Sequence, residues 1–308
     1  MSKKDFLHIN DFSSDELLDI MNLAKDLKEK FRNRENYKVF SNRSLAMIFA
    51  KPSARTRISF ETGFEWLGGH ALFLGPNDIG IGKREAIKDI GRLLSRYNDL
   101  VMARLFDHKH MLDLASSSSI PVINGLTDYN HPCQIMSDLF TIWEHRGSLD
   151  DLKISYLGDG NNIVHSWLEL TQKFPIDFVC ACPAGYEPDK NTLDKSTEIA
   201  LSKITVTNDP LDSINNSDVI YTDVWASMGQ KEEVAIREEI FQPFQINHTI
   251  MSQAGENAKF MHCLPAERGR EVTDEVMEAD YSIVFDQAEN RLHIQNAIMV
   301  TLLKYKTN

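Results

Sequence analysis

The sequence predicts an α/β protein of two doubly wound, parallel-sheet domains joined by helices. The first observation is its length, because 308 residues exceed the usual size of one compact domain. The second is an alternation of short apolar runs with helical patterns along the chain, which is the order of βαβ units. The third is a composition of 42% hydrophobic and 25% charged residues, typical of globular proteins with a buried core.

In the first half of the chain, three apolar runs are each followed by a helical pattern. We predict strands in SLAMIFA, DLVMARLF and IPVINGL, and helices in RISFETGFEWLGG, DHKHMLDLASS and QIMSDLFTIWEHRG. A polar break, SLDDLK, follows the last of these helices. We therefore predict a first domain over residues 1–148.

The second half repeats the same alternation over residues 149–289, which we predict as the second domain. Its predicted strands are KISYLGDG, IDFVCACP, TVTND, DVIYTDV, KFMHCLP and SIVFDQ. The last segment, NRLHIQNAIMVTLLKYK, has the spacing of an amphipathic helix. We expect this helix, over 290–308, to pack back on the first domain.

Charge and composition limit the partners and the compartment. The net charge of −12 repels nucleic acid and anionic membranes, so we expect neither as a partner. The N-terminal segment lacks the apolar run of a secretory signal, and no apolar stretch has the length of a membrane span, so we expect a cytoplasmic protein. We expect free thiols at Cys133, Cys180, Cys182 and Cys263, with Cys180 and Cys182 on one buried strand face.

Polar residues follow many of the predicted strands. Ligands of open parallel sheets bind at the carboxyl ends of the strands, so these residues are the candidate site. They lie in KPSARTR, at Arg104, and in DYNHPCQ, GDGNN, TDVWASMG and HCLPAERGR.

The segment from Lys51 to Arg57, KPSARTR, has the chemistry of an anion cradle. It places a lysine, two arginines and two hydroxyls at a strand-to-helix turn, where backbone N–H groups also point outward. The alternative is a solvated basic turn in which Ser53 is an ordinary N-cap. The glycines of a P-loop are missing, which excludes nucleoside triphosphate binding by that route.

Two further patterns suggest cofactors. GDGNN begins like a dinucleotide-binding turn, but Ile163 stands at the third glycine position and no acidic residue ends the next strand. His131 with Cys133, and His262 with Cys263, offer metal ligands at spacings that match no common zinc motif. A cysteine nucleophile with a histidine base stays open. We predict no metal and no organic cofactor.

Taken in order, KPSARTR with the following SFE, HPCQ, GDGNN, TDVWASMG and HCLPAERGREVTDEV closely resemble the transcarbamylase family over essentially the whole chain. The first two motifs bind carbamoyl phosphate across that family. The loop Ser227-Met228-Gly229 and the turn His262-Cys263-Leu264-Pro265 resemble the ornithine-specific branch. The resemblance implies carbamoyl transfer to ornithine, giving citrulline for arginine biosynthesis, in a homotrimer or a multiple of trimers without a cofactor.

The resemblance also implies individual roles. The carbamoyl-phosphate side would comprise Ser53, Ala54, Arg55, Thr56, Arg57, Arg104, His131, Gln134 and Arg291. The ornithine side would comprise Asn162, Asp223, Ser227, Met228, Cys263 and Leu264. The expected catalytic residues are Cys263, Arg104, His131 and Asp223. Thr56, Arg104 and His131 would stabilise the oxyanion, while Asp223 and Cys263 would orient the amine.

Two positions depart from the family pattern. Ala50 stands where an acidic residue often precedes Lys-Pro, and Gly80 stands where many ornithine enzymes carry a glutamine that contacts the donor. Two alternative functions stay open. The same donor site could serve another amine, such as putrescine, aspartate or an N-acylornithine, or the protein could be a non-catalytic anion-binding relative.

Overall fold

The computed structural model describes residues 3–80, 85–226 and 234–307. The chain divides into two compact units. Unit 1 comprises Met1–Phe140 and Glu289–Asn308, and unit 2 comprises Thr141–Ala288. Each unit contains its own parallel sheet flanked by helices. The fold class predicted from the sequence is therefore confirmed.

Unit 1 alternates helices and strands. In chain order they are α1 (Ser14–Arg32), β1 (Ser44–Phe49), α2 (Ala54–Trp66), β2 (His70–Leu74), α3 (Pro76–Ile79), α4 (Ile87–Tyr97), β3 (Leu100–Arg104), α5 (His108–Ser117), β4 (Val122–Leu126) and the first part of α6 (Pro132–Arg146). Its described strands pair in the order β2-β1-β3-β4, all parallel. The C-terminal part of the last helix completes the unit.

The central strands of unit 1 are apolar because both faces of a parallel sheet are covered. Residues 45–49 of β1 are all buried. The C-terminal helix approaches α2 closely at Gly63, where a Cβ atom would lie 2.1 Å from Oδ1 of Asn296. Any larger residue at this position would therefore have to displace the Asn296 side chain.

Unit 2 contains the remaining elements. They are the rest of α6, then β5 (Leu152–Leu157), α7 (Asn162–Thr171), β6 (Ile176–Ala181), α8 (Lys190–Ile199), β7 (Lys203–Thr207), α9 (Pro210–Ile214), β8 (Val219–Thr222), α10 (Val234–Phe241), α11 (His248–Gln253), β9 (Lys259–His262), α12 (Asp274–Met277) and the start of α13 (Val284–Thr307). The described strands pair in the order β7-β6-β5-β8-β9, all parallel.

Both sheets contain a position where the strand order reverses. In unit 1 the chain leaves β1 towards β2 on one side, while β3 and β4 lie on the other. In unit 2 the chain leaves β5 towards β6 and β7, while β8 and β9 lie on the other side. Ligands of open α/β sheets bind at such switch points, because the loops that follow the two strands separate there.

The prediction of a strand in SIVFDQ is wrong. Ser282 makes a single bridge to Phe260, and Val284 already begins α13. The final helix therefore starts before residue 290, where the sequence placed it. Strand β2 was not predicted from the sequence, and its residues Leu72 and Phe73 are exposed on the edge of the sheet. Its pattern lacks the buried apolar run by which the other strands were predicted.

The four cysteines are free thiols, as predicted. Cys180 and Cys182 are both buried at the end of β6, in agreement with the expected packing role. In the part of the chain that the structure describes, every helix is too short or too polar to cross a membrane.

Candidate functional site

The switch point of unit 1 brings the end of β1 beside the end of β3. Phe49 pairs with Arg104 in register, and the N–H of Ala50 donates to the carbonyl of Arg104 at 2.8 Å. The pairing of β3 with β4 shifts register between Ala103 and Arg104. Such an irregularity redirects side chains at the end of a strand. The segment KPSARTR and Arg104 thus start from adjacent positions.

The KPSARTR segment ends in the N-terminus of α2. The Ser53 hydroxyl accepts from the N–H of Thr56 at 3.3 Å, so Ser53 is the N-cap, as one of the two predicted alternatives had it. The first turn carries no acidic side chain to neutralise the positive end of the helix dipole. From α13, Arg291 donates through Nη2 to Oγ1 of Thr56 at 3.0 Å. The capped turn therefore also has a guanidinium beside it.

His131 precedes α6 and is almost completely buried. Burial lowers the pKa of His131 well below its usual value of 6.5, and the charges of Arg291, Arg104, Lys51 and Arg55 lower the pKa further. The imidazole is therefore neutral at physiological pH. A neutral ring keeps one N–H to donate, while the surrounding cations favour an anion next to it.

Gln134 lies in the first turn of α6 and is 1% exposed. Its amide Nε2 donates to Oδ1 of Asp138 at 2.8 Å. Within the described residues, Oε1 of Gln134 has no hydrogen-bond donor. An unsatisfied buried acceptor is costly, so a ligand N–H group would be favoured at this position.

Two basic side chains of KPSARTR have partners within unit 1. Lys51 is buried and its Nζ lies 2.5 Å from Oδ1 of Asp128. Arg57 pairs through Nε with Glu61 at 3.0 Å, and its guanidinium lies 4.0 Å from the ring centroid of Phe73. Arg57 is exposed and is not among the cations that lower the pKa of His131. The structure thus directs it along the surface of α2.

The two positions that depart from the family pattern lie in ordinary backbone contexts. Ala50 follows β1 and joins the sheet through its N–H. Gly80 ends α3 in the left-handed region, at φ 54° and ψ 43°, which favours glycine. The segment that follows, 81–84, lies outside the described residues.

The switch point of unit 2 is organised around Asp223, which directly follows β8 and is 8% exposed. Its Oδ1 accepts from Sγ of Cys263 at 3.0 Å and from the N–H of Val224 at 2.8 Å. Its Oδ2 accepts from Nδ2 of Asn161 at 3.1 Å. One carboxylate therefore holds the loops that follow β5, β8 and β9.

This arrangement places a carboxylate beside the Cys263 thiol. Cysteine nucleophiles are typically activated by cationic neighbours, which stabilise the thiolate. The geometry around Asp223 therefore does not favour the cysteine-nucleophile alternative. It provides instead a buried carboxylate that can accept hydrogen bonds from an ammonium or amine group.

The turn after β9 is held by a buried histidine. His262 and Glu271 are both fully buried, with Nε2 of His262 3.1 Å from Oε1 of Glu271. The N–H of Leu264 donates to Nδ1 of His262 at 2.8 Å. Leu264 adopts φ 58°, which is uncommon for a side chain of its size, and its bond to Pro265 is cis. The conformation of Leu264 is therefore imposed by its surroundings.

Asp223, His262 and Cys263 place possible metal ligands within 4.8 Å of one another, among the residues the structure describes. Both ring nitrogens of His262 are nevertheless engaged, one by Glu271 and one by the backbone. A metal ion would have to break these bonds. The other predicted pair of metal ligands is His131 with Cys133. Burial raises the pKa of Cys133 to about 12, which disfavours the thiolate that metals bind.

Comparison with known proteins covers both units. Residues 4–144 match the carbamoyl-P binding domain of aspartate/ornithine carbamoyltransferases, and residues 150–302 match the Asp/Orn binding domain. The chain belongs to the aspartate/ornithine carbamoyltransferase family. The family expected from the motifs is thereby confirmed, and with it the expectation of a carbamoyl-transferring enzyme.

Individual relatives are similar over nearly the whole chain. The chloroplastic ornithine carbamoyltransferase of Pisum sativum is 57% identical over 301 residues, which cover 97% of this chain and 80% of that protein. The ornithine carbamoyltransferase of Anoxybacillus flavithermus is 48% identical over 303 residues, 97% of this chain and 96% of that protein. A solved ornithine carbamoyltransferase from Pyrococcus furiosus superposes with a TM-score of 0.93 at 44% identity, covering 97% and 96% of the two chains.

The domain boundary of this carbamoyltransferase stays a prediction. The sequence placed it between residues 148 and 149. The matched family domains end at 144 and begin at 150, while the compact units divide at Phe140 and Thr141, inside α6. A boundary inside a continuous helix leaves no sequence signal, because the helical pattern is not interrupted.

Arg237 of α10 is a buried residue that was not predicted from the sequence. It is 4% exposed, and its Nη2 donates to a carboxylate oxygen of Asp159 while its Nε donates to the carbonyl of Trp225. The rings of Tyr186 and Phe241 lie 4.8 and 5.0 Å from the guanidinium. This carbamoyltransferase thus uses one buried arginine to join the loop after β5 to the segment that follows β8.

The predicted ornithine ligands Ser227 and Met228 lie outside the described residues. Trp225, bonded to Arg237, lies just before them in the chain. Asn162, also predicted, is the first residue of α7 and its carbonyl accepts from the Ser166 hydroxyl. Asn161, the N-cap of that helix, contacts Asp223 through its side-chain amide. An asparagine at an N-cap after two glycines was the available signal.

Proposed function

We propose that this carbamoyltransferase moves the carbamoyl group of carbamoyl phosphate to the side-chain amine of L-ornithine, forming L-citrulline and phosphate. The observation that carries the proposal is a buried, neutral His131 among the charges of Arg55, Arg104, Lys51 and Arg291. The cations attract the phosphate dianion, and the neutral imidazole can donate to the carbamoyl oxygen. The buried Oε1 of Gln134 suits the carbamoyl N–H group.

The proposed phosphate ligands lie at the start of α2. Ser53, Ala54, Arg55 and Thr56 offer a hydroxyl, backbone N–H groups and a guanidinium at the positive end of the helix. We leave Arg57 out of this set, although the family resemblance includes it. Its guanidinium pairs with Glu61 on the surface of α2 and lies over the ring of Phe73, and it is not among the cations that lower the pKa of His131.

The proposed chemistry is direct attack of a neutral amine on the carbonyl carbon. The C–N bond forms as the carbonyl becomes a tetrahedral oxyanion, and the bond to the phosphate oxygen then breaks with phosphate leaving. Thr56, Arg104 and His131 would stabilise the oxyanion, where losing one donor typically lowers turnover about 100-fold to 1000-fold. Arg55 and Arg291 would stabilise the departing phosphate.

The acceptor amine needs activation, because a free aliphatic amine with a pKa of about 10 is protonated at neutral pH. We assign Asp223 and Cys263 to bind and orient ornithine and to help it lose that proton, with the departing phosphate as the final base. The 3.0 Å contact between them supports a joint role. By the same resemblance Asn162, Leu264, Ser227 and Met228 complete the acceptor side.

We propose a homotrimer, or a multiple of trimers, as the working assembly. In unit 1 the edge strand β2 exposes Leu72 and Phe73, and α2 exposes Ile58, which is 61% exposed. Apolar side chains beside an open strand edge are typical of surfaces that associate. Sedimentation of an active enzyme as a monomer would contradict this assignment.

We also propose that the citrulline formed serves arginine biosynthesis and that the protein works in the cytoplasm. Deletion of the gene should then make growth depend on added arginine or citrulline. Because the pea relative is named chloroplastic, recovery of the protein in an organelle fraction would overturn the assigned location.

The first experiment measures the ureido product formed from carbamoyl phosphate with ornithine, putrescine, aspartate or N-acetylornithine, each offered separately at neutral to alkaline pH. Turnover with ornithine alone is the expected result. Turnover with another amine would keep the donor site and reject the acceptor assignment. A Cys263→Ser variant with unchanged turnover and ornithine KM would remove Cys263 from the mechanism.

A further inference from the structure

Two histidines meet in unit 1 next to the segment that carries His131. Nε2 of His8, from the N-terminal segment, lies 3.0 Å from Nε2 of His108, at the start of α5. The other nitrogen of His8 lies 3.0 Å from Nδ2 of Asn130, and the other nitrogen of His108 lies 2.9 Å from Oγ1 of Thr127. Asn130 directly precedes His131. Neither His8 nor His108 belongs to the predicted site.

The orientation of the Asn130 amide is determined by its neighbours. Nδ2 of Asn130 lies 3.1 Å from the carbonyl of Leu7, which can only accept, so this nitrogen donates. Nδ2 of Asn124 lies 3.1 Å from the same carbonyl and 2.6 Å from Oδ1 of Asn130. Both amides are therefore assigned by the hydrogen bonds they make. Asn130 and Asn124 are fully buried, so an unsatisfied amide group would be costly.

The protons of both imidazoles follow from that assignment. Because Asn130 donates to Nδ1 of His8, His8 carries its proton on Nε2 and donates to His108. His108 then carries its proton on Nδ1 and donates to Thr127. The Thr127 hydroxyl lies 3.3 Å from Oδ1 of Asn130 and donates its proton to it. This bond ends at the same Asn130 amide from which the series of hydrogen bonds starts. The four side chains form a closed ring of hydrogen bonds with two neutral imidazoles.

We propose that His8 and His108 are positioning residues for carbamoyl transfer: as a neutral pair they close a ring of hydrogen bonds that holds Asn130, and through the backbone they hold His131 in place. This inference rests on the proposed function, because the role of His131 at the carbamoyl oxygen belongs to it. The segment that carries His8 is itself anchored to β4. The N–H of Phe6 donates to Val122 and the N–H of Asn124 donates to Phe6, both at 2.9 Å.

The ring has no place for another proton. A proton added to Nδ1 of His8 would face the amino group of Asn130, which is also a donor. A proton added to Nε2 of His108 would face the N–H of His8, again a donor. Burial, followed by repulsion from a protonated His8, lowers the pKa of His108 to about 4, against the opposing charge of Asp107. His108 is therefore neutral at neutral pH, and its protonation breaks the ring as the pH falls to about 4.

The ionisable groups around the pair come from four segments. Asp107 caps α5, and Asp11 accepts from the N–H groups of Leu7 and His8. Tyr129 packs its ring against both imidazoles. Asp128, which directly precedes Tyr129, pairs with Lys51 of the candidate site.

Three substitutions at one position separate hydrogen bonding from packing. His108→Phe keeps an aromatic ring but loses both bonds of the position. His108→Gln can still accept from His8, and His108→Asn can still donate to Thr127. His110→Phe is the matched control, because His110 lies on the same helix and its ring nitrogen is 3.8 Å from Asp107, outside the ring of bonds.

A positioning role predicts an order of turnover at pH 8. We expect His108→Phe to lower kcat about tenfold and the Gln and Asn variants about threefold each, below the loss for a missing oxyanion donor. The ornithine KM should stay within about twofold, and the control should match wild type. If the Phe variant is closest to wild type, packing explains the cluster. If all three variants equal wild type, the ring does not position His131. Either result overturns the inference.

A second measurement does not depend on catalysis. If the wild type forms no citrulline, the proposed function fails, and hydrogen exchange of peptides covering 3–12 and 120–131 decides whether the ring exists. We expect protection in the wild type at pH 8, its loss as the pH falls to 4, and reduced protection of His108→Phe at pH 8, with the two proteins alike at pH 4. Equal protection of the two proteins at pH 8 would overturn the ring.

Discussion

The candidate sites of the two units are built with opposite charge. In unit 1, four cations act on one neutral, buried imidazole beside the start of α2. In unit 2, one buried carboxylate, Asp223, accepts hydrogen bonds from Cys263, Val224 and Asn161. An anionic donor and an amine acceptor require opposite electrostatics. Each sheet meets one requirement at its own switch point, so substitutions should separate the two functions.

The largest expected effect is at Arg104 in the cationic half. Arg104→Lys should lower kcat by about 100-fold, because an ammonium cannot reproduce the planar fork of a guanidinium beside the oxyanion. Steady-state rates at varied carbamoyl phosphate measure this change. Arg57→Lys is the control and should change kcat less than about threefold, because its exposed pair with Glu61 contributes little. Equal losses at both positions would place Arg57 in the site after all.

The next effect is at the carboxylate of unit 2. Asp223→Asn removes the charge and part of the accepting capacity that Asn161 and Cys263 use. Hydrogen bonds to charged groups contribute about 1.5 to 3 kcal/mol, and the lower half of that range predicts a fall in kcat/KM for ornithine of roughly 10-fold to 40-fold. Calorimetric binding of inorganic phosphate should be unchanged. Asp177→Asn, at a surface pair with Lys203 in the same unit, should match wild type. Lost phosphate binding in the Asp223 variant would show that the halves are not separable.

A smaller effect is expected at Arg237. Arg237→Lys keeps the charge, but one ammonium cannot replace the two guanidinium N–H groups that reach Asp159 and Trp225. The ornithine KM should rise about tenfold in steady-state assays, with the carbamoyl phosphate KM within about twofold. Arg268→Lys, at an exposed pair with Asp274, is the matched control. An equal rise in both KM values would point to general loss of structure.

The smallest effect concerns pH. His131 is a base whose pKa lies well below 6.5, so it is neutral above that pH and takes up a proton only as the pH falls well below it. The ratio of wild-type kcat to that of His131→Gln should therefore stay constant within about twofold from pH 6.5 to 8.5. A ratio that changes tenfold across this range would mean that His131 titrates there and that its cationic surroundings are misassigned.

The accuracy of the sequence predictions followed burial. Strands covered on both faces, such as β1 and β3, were predicted because a short continuous apolar run is typical of a buried parallel strand. The edge strand β2 has exposed apolar residues and left no such run. SIVFDQ has the run but makes one bridge only, because the C-terminal helix begins within it. Local pattern therefore indicated apolar segments more reliably than their final conformation.

The sequence by itself determined the fold class, the family and the identity of most candidate residues. These are carried by local signals: buried runs, turn residues and ordered motifs whose chemistry requires particular side chains at particular positions. Tertiary structure alone decided which of these side chains share an environment. It turned Arg57 towards Glu61, set Asn161 against Asp223, and joined His8 to His108 across a separation of 100 residues. Such contacts depend on how distant segments pack, and no local pattern encodes that packing.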